Sequence, residues 1–69
     1  MTEEKRNFLK RTTKFKFLAE EANITPQYVS LIINNKRSCS ITIAKALAKA
    51  VNKQQCLIEF SALDFMENN

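Results

Sequence analysis

Residues 15–32, FKFLAEEANITPQYVSLI, decide the fold, because they predict two short helices joined by a tight turn. Where two helices cross steeply their backbones come close, so the contact residue must be small, and Ala19 meets that need. The turn requires a residue that tolerates positive φ. In a chain without glycine, Asn23 is the best candidate. Thr25 then supplies an N-cap for the second helix, and Pro26 occupies its first position, where a missing N–H costs nothing.

The apolar residues around this turn recur where a shared core would lie, namely at Leu18, Ala22, Ile24, Val29 and Ile32. This is the spacing of a helix-turn-helix, whose second helix enters the major groove of DNA. We therefore expect a recognition helix from Pro26 to Ile33 or Asn34, with its other face turned outward.

Length and charge favour one small domain with an anionic partner. Sixty-nine residues predict a single domain over 1–69, which buries a modest fraction of its surface and would gain stability from oligomerisation. The net charge is +4, and residues 23–52 carry four cations and no acid, whereas residues 53–69 carry one cation and three acids. A basic middle predicts contact with a polyanion. Charge alone is equally compatible with a solvated cationic face.

Several classes of protein are disfavoured. No apolar run approaches the ~20 residues that span a bilayer, and MTEEKR is unlike a signal peptide, so we expect a cytoplasmic protein with no membrane partner. Cys39 and Cys56 are isolated and the chain has no histidine, so we interpret both as reduced thiols and expect no metal site. No catalytic grouping is present, and we expect no enzyme activity, cofactor or small-molecule ligand.

Besides the recognition helix, three more helices are predicted before the C-terminal segment. The first covers about 3–12, is capped by Thr2, and carries four cations that we interpret as solvated: Lys5, Arg6, Lys10 and Arg11. Thr12 and Thr13 supply a break and a cap for the next helix, over about 14–22. Ser40 caps a fourth helix over residues 41–51, which Asn52 can close in the left-handed region.

Two segments besides the recognition helix offer phosphate contacts. Lys14 and Lys16 lie in the first turn of their helix, an unfavourable place for cations unless an anion approaches that end; the alternative is two ordinary surface lysines. A polar loop after the recognition helix would run along the DNA backbone, and its predicted phosphate contacts are Asn34, Lys36, Arg37 and Ser38.

The outward face of the recognition helix shows Gln27, Tyr28, Ser30, Leu31 and Asn34. Gln27 could pair with an adenine edge, and Leu31 could contact a thymine methyl group. The alternative for Leu31 is a solitary exposed apolar residue, which is common. Because Leu31 and Tyr28 lie on one predicted face with Gln27, we favour base readout.

The C-terminal segment, KQQCLIEFSALDFMENN, is the least decided part of the sequence. A short fifth helix over about 54–60 fits, although CLIEF could also pair as a strand. Its large apolar residues either close the domain's own core or form a contact between two copies within 57–69; they include Phe60, Leu63, Phe65 and Met66.

LAEEANITPQYVSLIINNKR followed by SITIAKALAKAVN resembles the Cro and repressor-type helix-turn-helix family, often called the XRE family, over about residues 14–58. The resemblance implies an all-α, compact, lambda-repressor-like domain of four to five helices. It also implies a dimeric regulator, most often a repressor, on a near-palindromic double-stranded DNA operator, with recognition helices about 34 Å apart. Single-domain members of this size are typical of phage, plasmid and other small bacterial switches. By the resemblance, the base-contacting residues are Thr25, Pro26, Gln27, Ser30 and Leu31.

This sequence departs from the family pattern at four positions. Phe15 stands where a phosphate-binding glutamine is frequent, and Asn23 and Asn35 replace customary glycines. Pro26 replaces a polar base-reading residue, which shifts direct readout onto Gln27, Tyr28 and Leu31. The Phe15/Phe17 pair and Pro26 also motivate an alternative function, a protein-interaction module such as an antirepressor or an antitoxin-like partner that binds another regulator.

Overall fold

The computed structural model describes residues 1–55 and 57–66, and this part of the chain is all-α, as predicted. Its helices are α1 (Glu3–Thr12), α2 (Phe15–Ala22), α3 (Pro26–Ile33), α4 (Ile41–Gln54) and α5 (Ala62–Met66). None of these helices has the length and apolar character needed to cross a membrane. α4 is the central element, since it packs against both α2 and α5.

The turn between α2 and α3 has the predicted geometry. Asn23 adopts φ 58° and ψ 45°, in the left-handed region. The Ile24 N–H donates to the Ala19 carbonyl at 2.9 Å, and the Asn23 N–H donates to the Glu20 carbonyl at 3.3 Å. These two bonds form a Schellman motif, which satisfies carbonyls that the end of α2 would otherwise leave unpaired. Ala19 is buried, as a close approach of α2 and α3 requires.

α3 ends in the same way. Asn35 has φ 61°, the Lys36 N–H donates to the Leu31 carbonyl at 2.8 Å, and the Asn35 N–H donates to the Ile32 carbonyl at 3.1 Å. Asn23 and Asn35 are the two positive-φ residues in the described ranges. Asparagine therefore does at both turns what glycine commonly does, because its short polar side chain tolerates this conformation better than most.

One apolar core joins the five helices. It contains Leu9, Leu18, Ala19, Val29, Ile32, Ile33, Ala44, Leu47, Ala48, Ala50, Val51, Phe60 and Phe65. α1 covers it with Leu9 and with Phe8, whose ring stacks on Phe60 at a centroid distance of 6.4 Å. Phe60 in turn lies 6.0 Å from Phe65. The aromatic row thus connects the first helix with the C-terminal segment.

The predicted end of α4 is wrong. α4 continues through Asn52 to Gln54, and Asn52 uses its side chain instead. Its Nδ2 donates to the Phe60 carbonyl at 2.8 Å, and its Oδ1 accepts from the Phe60 N–H at 2.9 Å. Gln55 makes the same paired bonds to Ile58, at 2.6 and 2.9 Å.

The predicted helix over about 54–60 is wrong for residues 57–60, where these amide pairs bond to the backbone. The backbone of residues 57–60 is irregular, and its polar groups at Ile58 and Phe60 bond to side chains rather than to a helical ladder. The fifth helix begins later, at Ala62, and no residue of CLIEF that the structure describes is in a strand. Phe60 is therefore buried by the irregular segment that precedes α5, and Phe65 is buried by α5 itself.

Two of the α1 cations have internal partners, so their interpretation as solvated residues is wrong. Lys5 Nζ lies 3.0 Å from Asp64 Oδ2 and 5.2 Å from the centroid of the Phe60 ring. Arg6 Nε donates to the Ile33 carbonyl at 2.8 Å, at the end of α3. A cation at a helix C-terminus also interacts favourably with the negative end of the helix dipole. Side chains of α1 thus bond to both α5 and α3.

Asp64 also organises the start of α5. Its Oδ2 accepts from the Ser61 N–H at 2.9 Å, in addition to the bond from Lys5. Burial by itself raises the pKa of this carboxyl group, but the Ser61 N–H and the nearby Lys5 ammonium outweigh burial and hold the pKa below its ordinary value of 3.8. The ionised form is therefore the one that the fold prefers.

Candidate nucleic-acid interface

α3 presents a fixed face to the outside because three of its side chains are committed to the core. Val29 and Ile32 are buried, as predicted, and Ile33 is buried beside them. The helix start is also set as predicted: the Tyr28 N–H donates to Thr25 Oγ1 at 3.2 Å, and Pro26 occupies the first turn. Rotation of α3 about its axis would expose the apolar side chains to water, so its outward face is determined.

The predicted base-contacting residues divide into an exposed ridge and two flanks. Gln27 and Leu31 are four residues apart and share the ridge; Gln27 is exposed, and Leu31 is 38% exposed. Thr25 and Pro26 are exposed at its N-terminal end. The half-buried flanking residues are Tyr28 on one side and Ser30 on the other. The structure therefore places Gln27 and Leu31 side by side on the most exposed face of α3.

Tyr28 joins the ridge to the loop after α3. Its hydroxyl donates to the Ser38 carbonyl at 3.3 Å, and Arg37 Cζ lies 5.9 Å from the centroid of its ring. A guanidinium over an aromatic face at this distance is a cation–π contact. Tyr28 therefore positions Arg37 beside the ridge, a role that the sequence analysis did not predict. Lys36 and Ser38, also predicted phosphate contacts, are exposed in the same loop.

The other flank of α3 borders an open cavity of about 520 Å³. Asn34 Nδ2 donates to the Ser30 carbonyl at 2.9 Å and to Ser30 Oγ at 3.3 Å, and both residues line this cavity. The other walls come from the end of α1 and the start of α2, and consist of Lys10, Arg11, Thr12, Thr13, Lys14 and Phe15. Sequence reasoning missed this cavity, because its walls are brought together only by packing.

The start of α2 differs from the prediction. Thr13 does not cap α2; it is buried and closes α1, its N–H donating to the Leu9 carbonyl at 2.9 Å. Thr12 Oγ1 bonds to the Phe8 carbonyl at 2.6 Å. The N-cap of α2 is Lys14, which makes no side-chain capping bond, and the helix begins at Phe15. Within the part of the chain that the structure describes, no side chain therefore caps the first N–H groups of α2.

The charges on α2 oppose its own dipole. Lys14 and Lys16 are exposed at its positive end, whereas Glu20 and Glu21 lie in its last turn. Glu21 pairs with Lys53 at 3.6 Å on the surface, while Lys14 and Lys16 have no ion-pair partner among the described residues. An anion at the start of α2 would relieve the repulsion there and accept bonds from the uncapped N–H groups.

Phe15 and Phe17 are both half-buried and pack against the core. Exposure of Phe17 was one argument for the alternative function as a protein-interaction module. Because Phe17 packs against the protein's own core, this argument for the alternative function is weaker.

The four predicted dimer residues do not share one environment. Phe60 and Phe65 are each 2% exposed and belong to the protein's own core. Met66 is half-buried, whereas Leu63 is 72% exposed. Leu57 belongs to the predicted 57–69 segment but not to these four residues, and it is 83% exposed. Of the two predicted alternatives, closure of the core therefore applies to Phe60 and Phe65.

Cys39 is a free thiol that lies partly under α5. Its Sγ donates to the Phe65 carbonyl at 3.5 Å, and burial raises its pKa above the ordinary value. The thiol therefore stays protonated at neutral pH and is a weak nucleophile. The second predicted thiol, Cys56, lies outside the described residues.

A solvent-facing recognition helix after a tight turn, with cations around it, defines a helix-turn-helix domain for binding DNA. The helix-turn-helix family model matches residues 3–54 of this chain. The chain belongs to this family, of the Cro and repressor (XRE) type, whose members are DNA-binding regulators. Neither the search of curated proteins nor the search of solved structures found a match.

Proposed function

We propose that the protein is a sequence-specific transcriptional repressor, which binds operator DNA as a homodimer and acts by occluding a promoter. The observation that carries this proposal is the surface of α3, where an exposed ridge with Gln27 and Leu31 has cations on both sides. A major groove is about 12 Å wide and admits one helix, while phosphates border it on both sides. Gln27 and Leu31 would contact base edges, and the flanking cations would contact phosphates.

The other predicted contacts fit this arrangement. Thr25 and Pro26 lie at the N-terminal end of the ridge, where a recognition helix approaches bases, and Ser30 lies on its flank. Lys14 and Lys16 at the start of α2, with Asn34, Lys36, Arg37 and Ser38 after α3, provide backbone contacts. Tyr28 contributes by holding Arg37 in place.

Dimerisation is proposed on the C-terminal side of the molecule. Leu63 and Leu57 are exposed apolar side chains on one short segment, and Met66 is half-buried nearby in the chain. A symmetric contact through these residues would cover them in both copies. It would also place two recognition helices on one DNA, at a separation near 34 Å if they occupy successive turns of the major groove.

The proposal is tested by selecting duplexes from a random-sequence library with the purified protein, followed by mobility-shift titrations at several salt concentrations. We expect an enriched near-palindromic sequence and an affinity that falls steeply with salt. Arg37→Ala should weaken binding to selected and random duplexes alike, whereas Gln27→Ala should reduce preference at one base pair by about 1–3 kcal/mol. Equal losses for Gln27→Ala on both duplexes would contradict the readout assignment.

Oligomeric state is tested separately, by sedimentation of the wild type and of Leu63→Ser. We expect a dimer that this substitution converts to a monomer with weaker operator binding. Ile41→Ser provides the matched control, because Ile41 is an apolar residue 52% exposed on α4, outside the proposed contact. If the protein bound no DNA even at low salt, the alternative of a protein-interaction module would be favoured.

A further inference from the structure

The four cations of α1 divide into two pairs with different surroundings. Lys5 and Arg6 are partly buried and bond to Asp64 and to the Ile33 carbonyl. Lys10 and Arg11 are exposed, and in the described ranges neither has an ion-pair partner. Both line the 520 Å³ cavity beside α3. The fold therefore uses the first pair, and leaves the second pair available for a ligand.

The lining of this cavity suits an anion. Lys10, Arg11 and Lys14 contribute positive charge, Ser30 and Asn34 contribute polar groups, and no carboxylate of the described residues lines it. The start of α2, which lacks a side-chain cap, also opens at this place through Lys14 and Phe15. Cations from two helices and an uncapped helix end thus converge on one open space.

The position of the cavity relative to α3 suggests which anion enters it. Ser30 lines the cavity, while Tyr28 holds Arg37. These two residues are two positions apart, which is about 200° around a helix, so they lie on opposite flanks of the Gln27 ridge. The cations of the cavity and the cations of the loop therefore stand on opposite sides of the recognition helix. The two phosphate backbones of DNA stand on opposite sides of a major groove.

We propose that Lys10 and Arg11 of α1 bind a backbone phosphate of one DNA strand in this cavity, while Lys36 and Arg37 contact the other strand across the groove. This inference rests on the proposed DNA-binding function and adds α1 to the interface. The contact would position the recognition helix and carry no sequence information of its own. It would contribute to affinity by releasing counterions.

The test compares Lys10→Ala/Arg11→Ala with Lys45→Ala/Lys49→Ala on the duplex that the wild-type protein selects. Both double variants lose two charges; Lys45 and Lys49 are exposed on α4 and do not line the cavity. Removing two phosphate contacts should reduce the affinity change between about 50 and 200 mM salt by about tenfold, while the α4 variant should keep the wild-type salt dependence. Thermal unfolding verifies that each variant is folded, and Lys10→Gln/Arg11→Gln serves if the alanine variant is not.

Phosphate ethylation interference then assigns the strands. In the wild-type complex we expect interference on both strands of each half-site, and in the Lys10/Arg11 variant we expect its loss on one strand alone. Unchanged interference, or equal salt dependence in the two double variants, would overturn the inference while leaving DNA binding intact. If the wild type itself bound no duplex at low salt, the proposed function would fail first, and the inference with it.

Discussion

Asn52→Ala should destabilise the protein, because one side chain satisfies both backbone polar groups of a buried residue. Asn52 donates to the Phe60 carbonyl at 2.8 Å and accepts from the Phe60 N–H at 2.9 Å, while Phe60 is 2% exposed. A hydrogen bond contributes about 1 kcal/mol net, and an unsatisfied buried partner costs about 1–3 kcal/mol. Asn52 lies at the surface, so water can replace part of the loss, and we expect a destabilisation of about 2–3 kcal/mol in total. A domain of this size has roughly 3–10 kcal/mol to lose.

Urea denaturation followed by circular dichroism measures this effect. With a slope near 1–2 kcal/mol/M for a small domain, the midpoint should fall by about 1–3 M. Gln54→Ala is the matched control, since Gln54 is an exposed amide on the same helix whose side chain bonds to none of the described residues, and its midpoint should change by less than about 0.5 M. Asn52→Asp should be intermediate, because it keeps the acceptor and loses the donor. A midpoint for Asn52→Ala within about 0.5 M of the wild type would show that burial of Phe60, and not the amide pair, holds the segment.

Three further substitutions are informative. Asn23→Gly should leave stability nearly unchanged, while Asn23→Ala should lower it by about 1 kcal/mol, because alanine is strained at φ 58°; thermal unfolding of both variants compares the two. The pKa of Asp64 is lowered on folding, so this carboxylate stabilises the fold above about pH 4, and the stabilisation is lost as the pH falls through the lowered pKa. Urea midpoints measured from pH 6 to 2.5 should therefore decline less in Asp64→Asn than in the wild type. Equal declines in the two proteins would refute this linkage. Tyr28→Phe keeps the ring beside Arg37 but loses the bond to Ser38, so DNA affinity should fall a few-fold with an unchanged urea midpoint; a large drop in that midpoint would instead assign Tyr28 to the core.

Sequence reasoning was most accurate where one residue acts on its immediate neighbours. The αL conformation of Asn23 depends on backbone preference, and the caps at Thr2, Thr25 and Ser40 depend on bonds to a residue three positions away. The orientation of α3 followed from the period of its apolar side chains, which is also a local property. These features could therefore be predicted, together with the all-α fold and the exposed Gln27 ridge.

The incorrect predictions concern side chains with more than one possible partner. Asn52 was predicted to end α4 by its backbone, but its partner is Phe60, eight residues later. Lys5 and Arg6 have the same local character as Lys10 and Arg11, and only packing distinguishes them, since Asp64 and the end of α3 lie beside the first pair. Nothing in a local pattern states which of four similar cations will meet a partner from a distant segment.

By itself, therefore, the sequence determined the helix-turn-helix, its turn at Asn23 and the face that α3 turns outward, because each depends on interactions within about five residues. The tertiary structure alone decided which apolar residues of the C-terminal segment are covered, which cations are used internally, and that α1, α2 and α3 line an open basic cavity. Those features depend on contacts between segments far apart in the chain, and such contacts exist only once the core has formed.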